Sequence, residues 1–506
     1  MRVISFLTTV ALLIGASNVF AQSYYNAPNA AYAPSATSYA TDASSWEARI
    51  LQIEDTQSKM AADIKKKQDA VDTKKKFSVE VSGRVFVDAV YFGDPHTKWE
   101  NLAPPIPAGN DPGHPGGASQ VPRPGDYFGM RDARIGISGK GFEIFDYKAE
   151  LAYERANHVT ITDVFLGAKN IPGLDYVRLG HYKVETGMSQ ITSGRNSTAM
   201  ERPSPVSVFG PSRRWGAGQT YYFADDKVRW FNGVFAARQM ASDNKFYTDG
   251  DTSTASGLIY NSRFTMVPYY AKDGEKFFHV GGHFMRMENP TKNAATMNMP
   301  NAPRAGGLGR TTAQWFPITA EGSALKNDPA YNQGGLELAW GHGRFGVNSE
   351  LFAGSFGKGR DVYGGYVEAR YFLTGDTRLY DKKNGALGNV KLKKNFLCIE
   401  DCVQTLCHGP AKGFTVKSWG AWEAFAQFSF TDSDRVAAAE GLNVGGRTTD
   451  TVLGLNWYWS PSIRMMFEYI HSDATRQRRG GNDAYTANDS FRATEDIFAT
   501  SLRFYF

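Results

Sequence analysis

Positively charged side chains recur along this chain at positions that a two-residue alternation turns to one face: Arg84, Arg134, Lys140, Lys148, Arg178, Arg370, Arg464 and Arg503. Lys183, Arg195, Arg202, Arg213 and Arg214 crowd the stretch around 185–213, and Lys391, Lys393 and Lys394 follow in 374–417. Such a set breaks no bond. Along a wet path through a low-dielectric wall, fixed cations lower the barrier for passing anions, and a guanidinium offers phosphate or carboxylate oxygens two parallel hydrogen bonds. Glu80, Asp88, Glu150, Glu337, Glu350, Glu368, Glu423 and Glu468 are expected on the same face, so cross-strand pairing competes with that role for each cation.

Signals for bond chemistry are weaker. The chain carries no Gly-x-Ser-x-Gly elbow and no Walker loop, and Gly306-Gly-Leu-Gly-Arg310 precedes no helical pattern that could cradle a phosphate. His279 and His283 share a strand face without a third ligand nearby, so they read as barrel residues rather than a metal site. No catalytic residue, cofactor or metal is expected. Cys398, Cys402 and Cys407 lie in one stretch without CxxC spacing; in an oxidising compartment two of them can pair as a local staple, and a zinc site with His408 is the weaker reading.

The elements that would position these residues are strands. Residues 1–21 read as an export signal, with Arg2 before an apolar core over 3–14 and cleavage expected after Ala21. Residues 22–43, rich in Ala, Ser, Tyr, Asn and Pro, read as a flexible linker. Over 44–76 apolar residues fall on steps of three and four, behind a capping box of Ser44 and Glu47, which predicts a self-associating coiled-coil helix on the periplasmic side. From Phe77 the period drops to two: Phe77, Val79, Val81, Val85 and Val87 share one face, while Ser78, Glu80, Ser82, Arg84 and Asp88 share the other.

That alternation recurs to Phe506 in about sixteen segments, an even number suited to lipid outside and water inside. The fold class expected is therefore all-β, a transmembrane antiparallel β-barrel over 77–506 preceded by the coiled coil. Connection lengths alternate between tight links, such as Gly141-Phe142, His342-Gly343 and Ser460-Pro461, and long stretches such as 92–127, 185–213 and 288–332. Short turns on the periplasmic side and long external loops give that asymmetry. One long stretch, 374–417, falls on the short-turn side and breaks it. Trp457, Tyr458, Trp459, Phe504, Tyr505 and Phe506 stand at strand ends, where aromatic girdles are expected, and the aromatic carboxyl end resembles an outer-membrane assembly signal.

Several stretches resemble the phosphate-selective porin O and P family. They are Arg131-Asp-Ala-Arg-Ile-Gly-Ile-Ser-Gly-Lys140 with Phe145-Asp-Tyr-Lys-Ala-Glu-Leu151, Gly173-Leu-Asp-Tyr-Val-Arg-Leu-Gly-His-Tyr-Lys183 leading to Met200-Glu-Arg202, Tyr371-Phe-Leu-Thr-Gly-Asp376, and Gly454-Leu-Asn-Trp-Tyr458 before Arg464. The resemblance implies a 16-stranded trimeric porin whose positively charged channel is narrowed by inward-folded segments, here 185–213 as constriction loop and 374–417 as periplasmic insert. Lys183-Val184-Glu185 stands where the family commonly has Lys-Glu-Pro, and Gly375-Asp376 replaces its Gly-Glu. Those departures bear on phosphate specificity and not on the barrel.

The resulting expectation is an outer-membrane porin for passive diffusion of small solutes, anion-preferring, with phosphate or polyphosphate as possible cargo. Its expected partners are two further copies of the chain, outer-membrane lipid and small anionic solutes. A formal net charge of +5, spread without a compact basic patch, argues against nucleic acid. The alternative is a structural protein that tethers the envelope by binding the cell wall through its coiled coil, where Lys65-Lys66-Lys67 and Lys74-Lys75-Lys76 supply positive charge.

Overall fold

The computed structural model describes residues 52, 55–56, 58–60, 63, 77–93, 126–154, 158–237, 257–288, 297–300, 314–318, 330–355, 361–396, 418–432, 445–477 and 490–506. The signal segment, the linker and the three cysteines lie outside this set. Of the expected coiled coil only seven scattered residues are described; they are helical and exposed, with Lys59 paired to Asp55 one turn away at 2.6 Å, and they do not support a coiled coil as such. They belong to a unit, residues 1–72, separate from the rest of the chain.

In the second unit, alternation produces the expected sheet. Sixteen strands close into one antiparallel barrel: β1 (Glu80–Phe92), β2 (Tyr127–Gly141), β3 (Phe145–Glu154), β4 (His158–Ile171), β5 (Leu174–Lys183), β6 (Arg213–Phe223), β7 (Val228–Ala236), β8 (Leu258–Ala271), β9 (Lys276–Glu288), then β12 (Ala330–His342), β13 (Phe345–Ser355), β14 (Asp361–Phe372), β17 (Ala421–Asp432), β18 (Gly445–Ser460), β19 (Ile463–Gln477) and β20 (Ser490–Tyr505). Two hairpins stand outside this order: β10 (Met297–Pro300) with β11 (Gln314–Ile318), and β15 (Thr377–Asp381) with β16 (Ala386–Lys391). Every sequence-based strand has its counterpart. Closure comes from β1 pairing β20, and beyond that ladder Gly83 and Phe506 exchange backbone hydrogen bonds of 2.9 and 3.1 Å. A closed sheet leaves no strand edge unpaired, as a hydrocarbon surround requires.

The two faces differ as the alternation demands. On β12, Leu336, Leu338 and Trp340 are exposed on the outer face, whereas Glu337 and Ala339 between them are buried inside. Among the girdle candidates, Trp457, Phe504 and Phe506 point outward, but Tyr458 and Tyr505 are buried lumen residues, Tyr458 donating to Glu423 at 2.7 Å and Tyr505 accepting from Arg464 at 3.4 Å. His279 and His283 likewise face inward and are buried.

Among the described residues the barrel ladder is irregular at four places, and two of these bulges, on β2 and β4, change the charge of the lumen. Phe86 pairs with Asp132 and Val87 with Met130, so Arg131 is an extra residue and both it and Asp132 turn inward. Between Ala149/Val164 and Leu151/Ile161, β4 likewise carries one residue too many, and Thr162 and Asp163 both face in. Bulges re-aim side chains in this way, here adding charge to the interior.

Two segments fill the lumen. The 184–212 connection folds inward, with short helical turns at Met188–Ile191 and Ser204–Phe209, and buries Val184, Met188, Val206 and Phe209. Phe209 stacks on Phe352 at 5.2 Å, and a Cβ on Gly364 would lie 2.8 Å from Pro205, so β14 needs glycine where the loop presses on it. The β15–β16 hairpin enters from the short-turn end: Tyr380 stacks on Phe277 at 4.7 Å and meets His279 Nδ1 at 2.6 Å. The two segments touch, since the Leu387 amide donates to Thr192 Oγ1 at 3.2 Å and Arg378 donates to the Asn196 carbonyl.

Candidate functional site: a lumen with two unlike walls

Buried acidic residues of β12–β19 serve as anchors. Glu350 accepts from the Ser189 amide at 2.5 Å, Glu468 accepts from the Met200 amide at 2.5 Å, and Asp450 takes the Ser204 hydroxyl. Glu423 takes Arg378 of the hairpin at 2.9 Å, and Glu337 takes Arg263 through two bonds of 2.9 and 2.7 Å. Their side chains are almost closed to solvent, Glu423 at 0% and Glu337 at 1%. Unpaired backbone amides and buried carboxylates both carry a heavy desolvation penalty, so each satisfies the other.

At the root of the loop, Glu185 accepts from Arg229 at 2.6 and 2.7 Å and lies 3.5 Å from Arg263. Burial alone would push its carboxyl up, but these guanidinium groups hold it below the ordinary glutamate value. Lys183 donates to the carbonyls of Gln190, Ile191 and Thr192, closing the end of the first helical turn, and Arg202 donates to the Ser189 and Thr192 carbonyls at 2.8 and 2.9 Å. Burial and the neighbouring Arg213 lower the Arg202 guanidinium to about 10. Both residues therefore brace the loop as well as adding charge.

The wall from β1 to β6 is different. Arg84 and Arg134 share Asp132; Arg134 also meets Glu150 at 3.2 Å; Lys148 bridges Glu150 at 3.0 Å and Asp163 at 3.1 Å; Arg213 holds Asp163 at 2.8 Å; and Arg131 holds Glu201 at 2.6 Å. The cations keep some exposure, from 11% at Arg134 to 27% at Lys148. With Lys183 and Arg202 nearby, seven cations face five carboxylates here, the buried Asp88 of β1 included, and the network runs across neighbouring strands. A run of alternating charges with cations in excess can hand an anion from one donor to the next without holding it in a deep well.

The other sequence candidates are distributed around this corridor. Arg178 is enclosed by the rings of Phe165, Tyr182 and Tyr176 at 4.3, 5.1 and 5.2 Å, and donates to the Tyr176 hydroxyl. Arg214 donates to the Ala237 and Arg213 carbonyls. Arg195, Arg464 and Arg503 donate to the carbonyls of Pro461, Ser197 and Met200 at 2.9, 2.8 and 2.7 Å, and Arg370 donates to Asn348 at 2.5 Å. Lys391 lies at the short-turn end, exposed and paired with Glu275 at 2.7 Å, and Lys393 is exposed beside it. Sequence reasoning passed over Arg131, Arg229, Arg263 and Arg378. Alternation on β7 and β8 puts Arg229 and Arg263 inside, whereas the Arg131 bulge and the Arg378 hairpin left no periodic signal.

A sequence profile described as phosphate-selective porin O and P matches residues 112–506. An uncharacterized protein of Caulobacter vibrioides is 26% identical over 270 residues, 50% of this chain and 49% of that protein, so the match spans about half its length. Among solved structures, the outer membrane channel DcaP of Acinetobacter baumannii aligns at TM-score 0.45 and 9% identity, covering 86% of this chain and 98% of its own. The trimer form of OmpT of Vibrio cholerae aligns at 0.44 and 9%, covering 85% and 99%, and an anion-selective porin from Comamonas acidovorans at 0.42 and 10%, covering 85% and 100%. With the profile matched over more than half of its length, the chain belongs to the phosphate-selective porin O and P family.

Proposed function

We propose that this outer-membrane porin passes small solutes by diffusion with a preference for anions, along the corridor between the inward loop and the β1–β6 wall. The observation that carries the reading is the division of the lumen: buried carboxylates opposite serve as anchors, while Arg84, Arg134, Lys148, Arg213 and Arg131 stay partly open and outnumber their partners. Phosphate is suited to such a corridor because guanidinium and ammonium donors alternate along it. The unit in the membrane is a homotrimer. Residues 1–21 direct export, 22–43 form a linker, and 44–76 stand in the periplasm. The test is conductance of the purified protein in a planar bilayer under a salt gradient. A reversal potential of anion-selective sign, reduced by added phosphate, is expected; a cation-selective sign overturns the proposal.

A further inference from the structure

The inward loop is held to the wall on both sides of one span. On β13 the Ser189 amide donates to Glu350, while on β18 Asn456 donates to the Thr198 carbonyl at 2.9 Å and on β19 Glu468 takes the Met200 amide. Between them lie β14 and β17, where Glu368 pairs directly with Gln427 in the ladder. Gln427 is 2% exposed, yet neither its Oε1 nor its Nε2 has a hydrogen-bond partner among the described residues. Exchanging the two amide atoms repairs nothing, because both are orphaned. Glu368 is buried beside it, 3.9 Å from Arg370 and so beyond hydrogen-bond reach of that guanidinium.

Both side chains line a narrow cavity of about 20 Å³, with Thr198 and Arg202 on its loop side and Asn348 and Tyr366 on its wall side. An amide shut away from solvent is penalised at each unpaired atom, which favours a polar ligand of matching size. A single water molecule needs roughly 10–15 Å³ and a few polar partners, and this cavity offers both. The amide also decides among small occupants, since it presents one donor and one acceptor. A cation would meet only Oε1 and stand near Arg202, and an anion would meet only Nε2 and stand near Glu368. Water serves both atoms, because the same molecule accepts and donates.

We infer that this cavity is a water site, and that the bound water joins Gln427 and Glu368 on the wall to Thr198 on the loop. Gln427 is thereby a positioning residue, acting through the water on the stretch 197–203 that carries Arg202. The inference rests on the reading of the loop as the narrowing of a diffusion channel, and names what holds its middle in place.

The test is a crystal structure of the full chain at a resolution that shows ordered water, from crystals grown once in rubidium chloride and once in sodium bromide. A peak within hydrogen-bond distance of Gln427 and Thr198, without anomalous signal in either salt, supports the inference. An anomalous peak at the site, a dry cavity, or a Gln427 bonded directly to protein overturns it. Gln427→Met, which keeps the side chain's length and removes both amide atoms, provides the second arm in planar bilayers. Its heat-resistant barrel is expected to persist while fluctuations of the open-channel current grow. Gln427→Asn, which restores an amide and leaves room for more water, should return them towards the original level. A Met variant as quiet as the unmodified protein, or an Asn variant as noisy as the Met variant, contradicts the inference. An unmodified protein that conducts around a dry cavity defeats this inference alone, whereas one that conducts nothing defeats the channel reading beneath it.

Discussion

Asp163 illustrates how single residues set the corridor's charge. It is shared by Arg213 and Lys148, at 2.8 and 3.1 Å, so Asp163→Asn leaves two cations facing the lumen with less compensation. The ratio of anion to cation permeability should rise by roughly threefold, as expected if one partly screened charge contributes about 0.6 kcal/mol; Arg213→Glu should move the reversal potential the other way. Glu185 is a different case, because its pair with Arg229 is closed to solvent at both ends. Removing one member of such a pair strands the other charge, so Glu185→Gln should cost about 3–5 kcal/mol in denaturant unfolding, while replacing both residues by Met recovers most of the loss. The sign of its pH dependence follows from its lowered value. Stabilisation by Glu185 is complete above the ordinary glutamate value of 4.5 and is lost only as pH falls through the lower folded value. Conductance traces at pH 4.5 should therefore show the loop still held at Glu185, and a loop released there would contradict the ion pair.

At the scale of elements, the barrel and its fillings have separate supports. β14 pairs with β17 directly from Tyr363/Asp432 to Phe372/Glu423, so the β15–β16 hairpin is not needed to close the wall. Replacing residues 377–391 by a short Gly-Ser link should leave a heat-resistant barrel with a larger single-channel conductance; loss of the folded barrel would show the hairpin to be structural instead. The difference also explains what could be read from the sequence. Strand positions were legible because a wall with lipid on one side and charge on the other writes a two-residue period into every strand. The inward path of 184–212 and 374–396 was suggested by family resemblance and by loop length, not by any local pattern. The bulges at Arg131 and near Asp163 were invisible, because an extra residue shifts the alternation without changing composition. Consequently the cations of the corridor were mostly identified, but their carboxylate partners Asp132 and Asp163 were not. The anchoring task of Glu350 and Glu468 was equally hidden, since the amides of Ser189 and Met200 that they accept from lie 161 and 268 residues away.

For the whole molecule, the two lining walls offer different explanations of selectivity. The fillings narrow the path whatever the solvent, whereas the excess of cations on β1–β6 acts through a field that mobile ions screen. The Debye length is about 10 Å at 0.1 M salt and about 3 Å at 1 M. Direct contacts such as Arg213 with Asp163 at 2.8 Å survive both conditions, but the summed potential reaching an ion at mid-lumen does not. If fixed charge sets the preference, the anion-to-cation permeability ratio should fall severalfold between about 0.1 and 1 M salt at a constant gradient ratio. The exclusion of bulky neutral solutes, measured by liposome swelling, should stay unchanged over the same range. A permeability ratio independent of salt would assign the selectivity to the width left between the loop and the wall, and would make the charge of Arg84, Arg134 and Lys148 chiefly a matter of holding the barrel interior together.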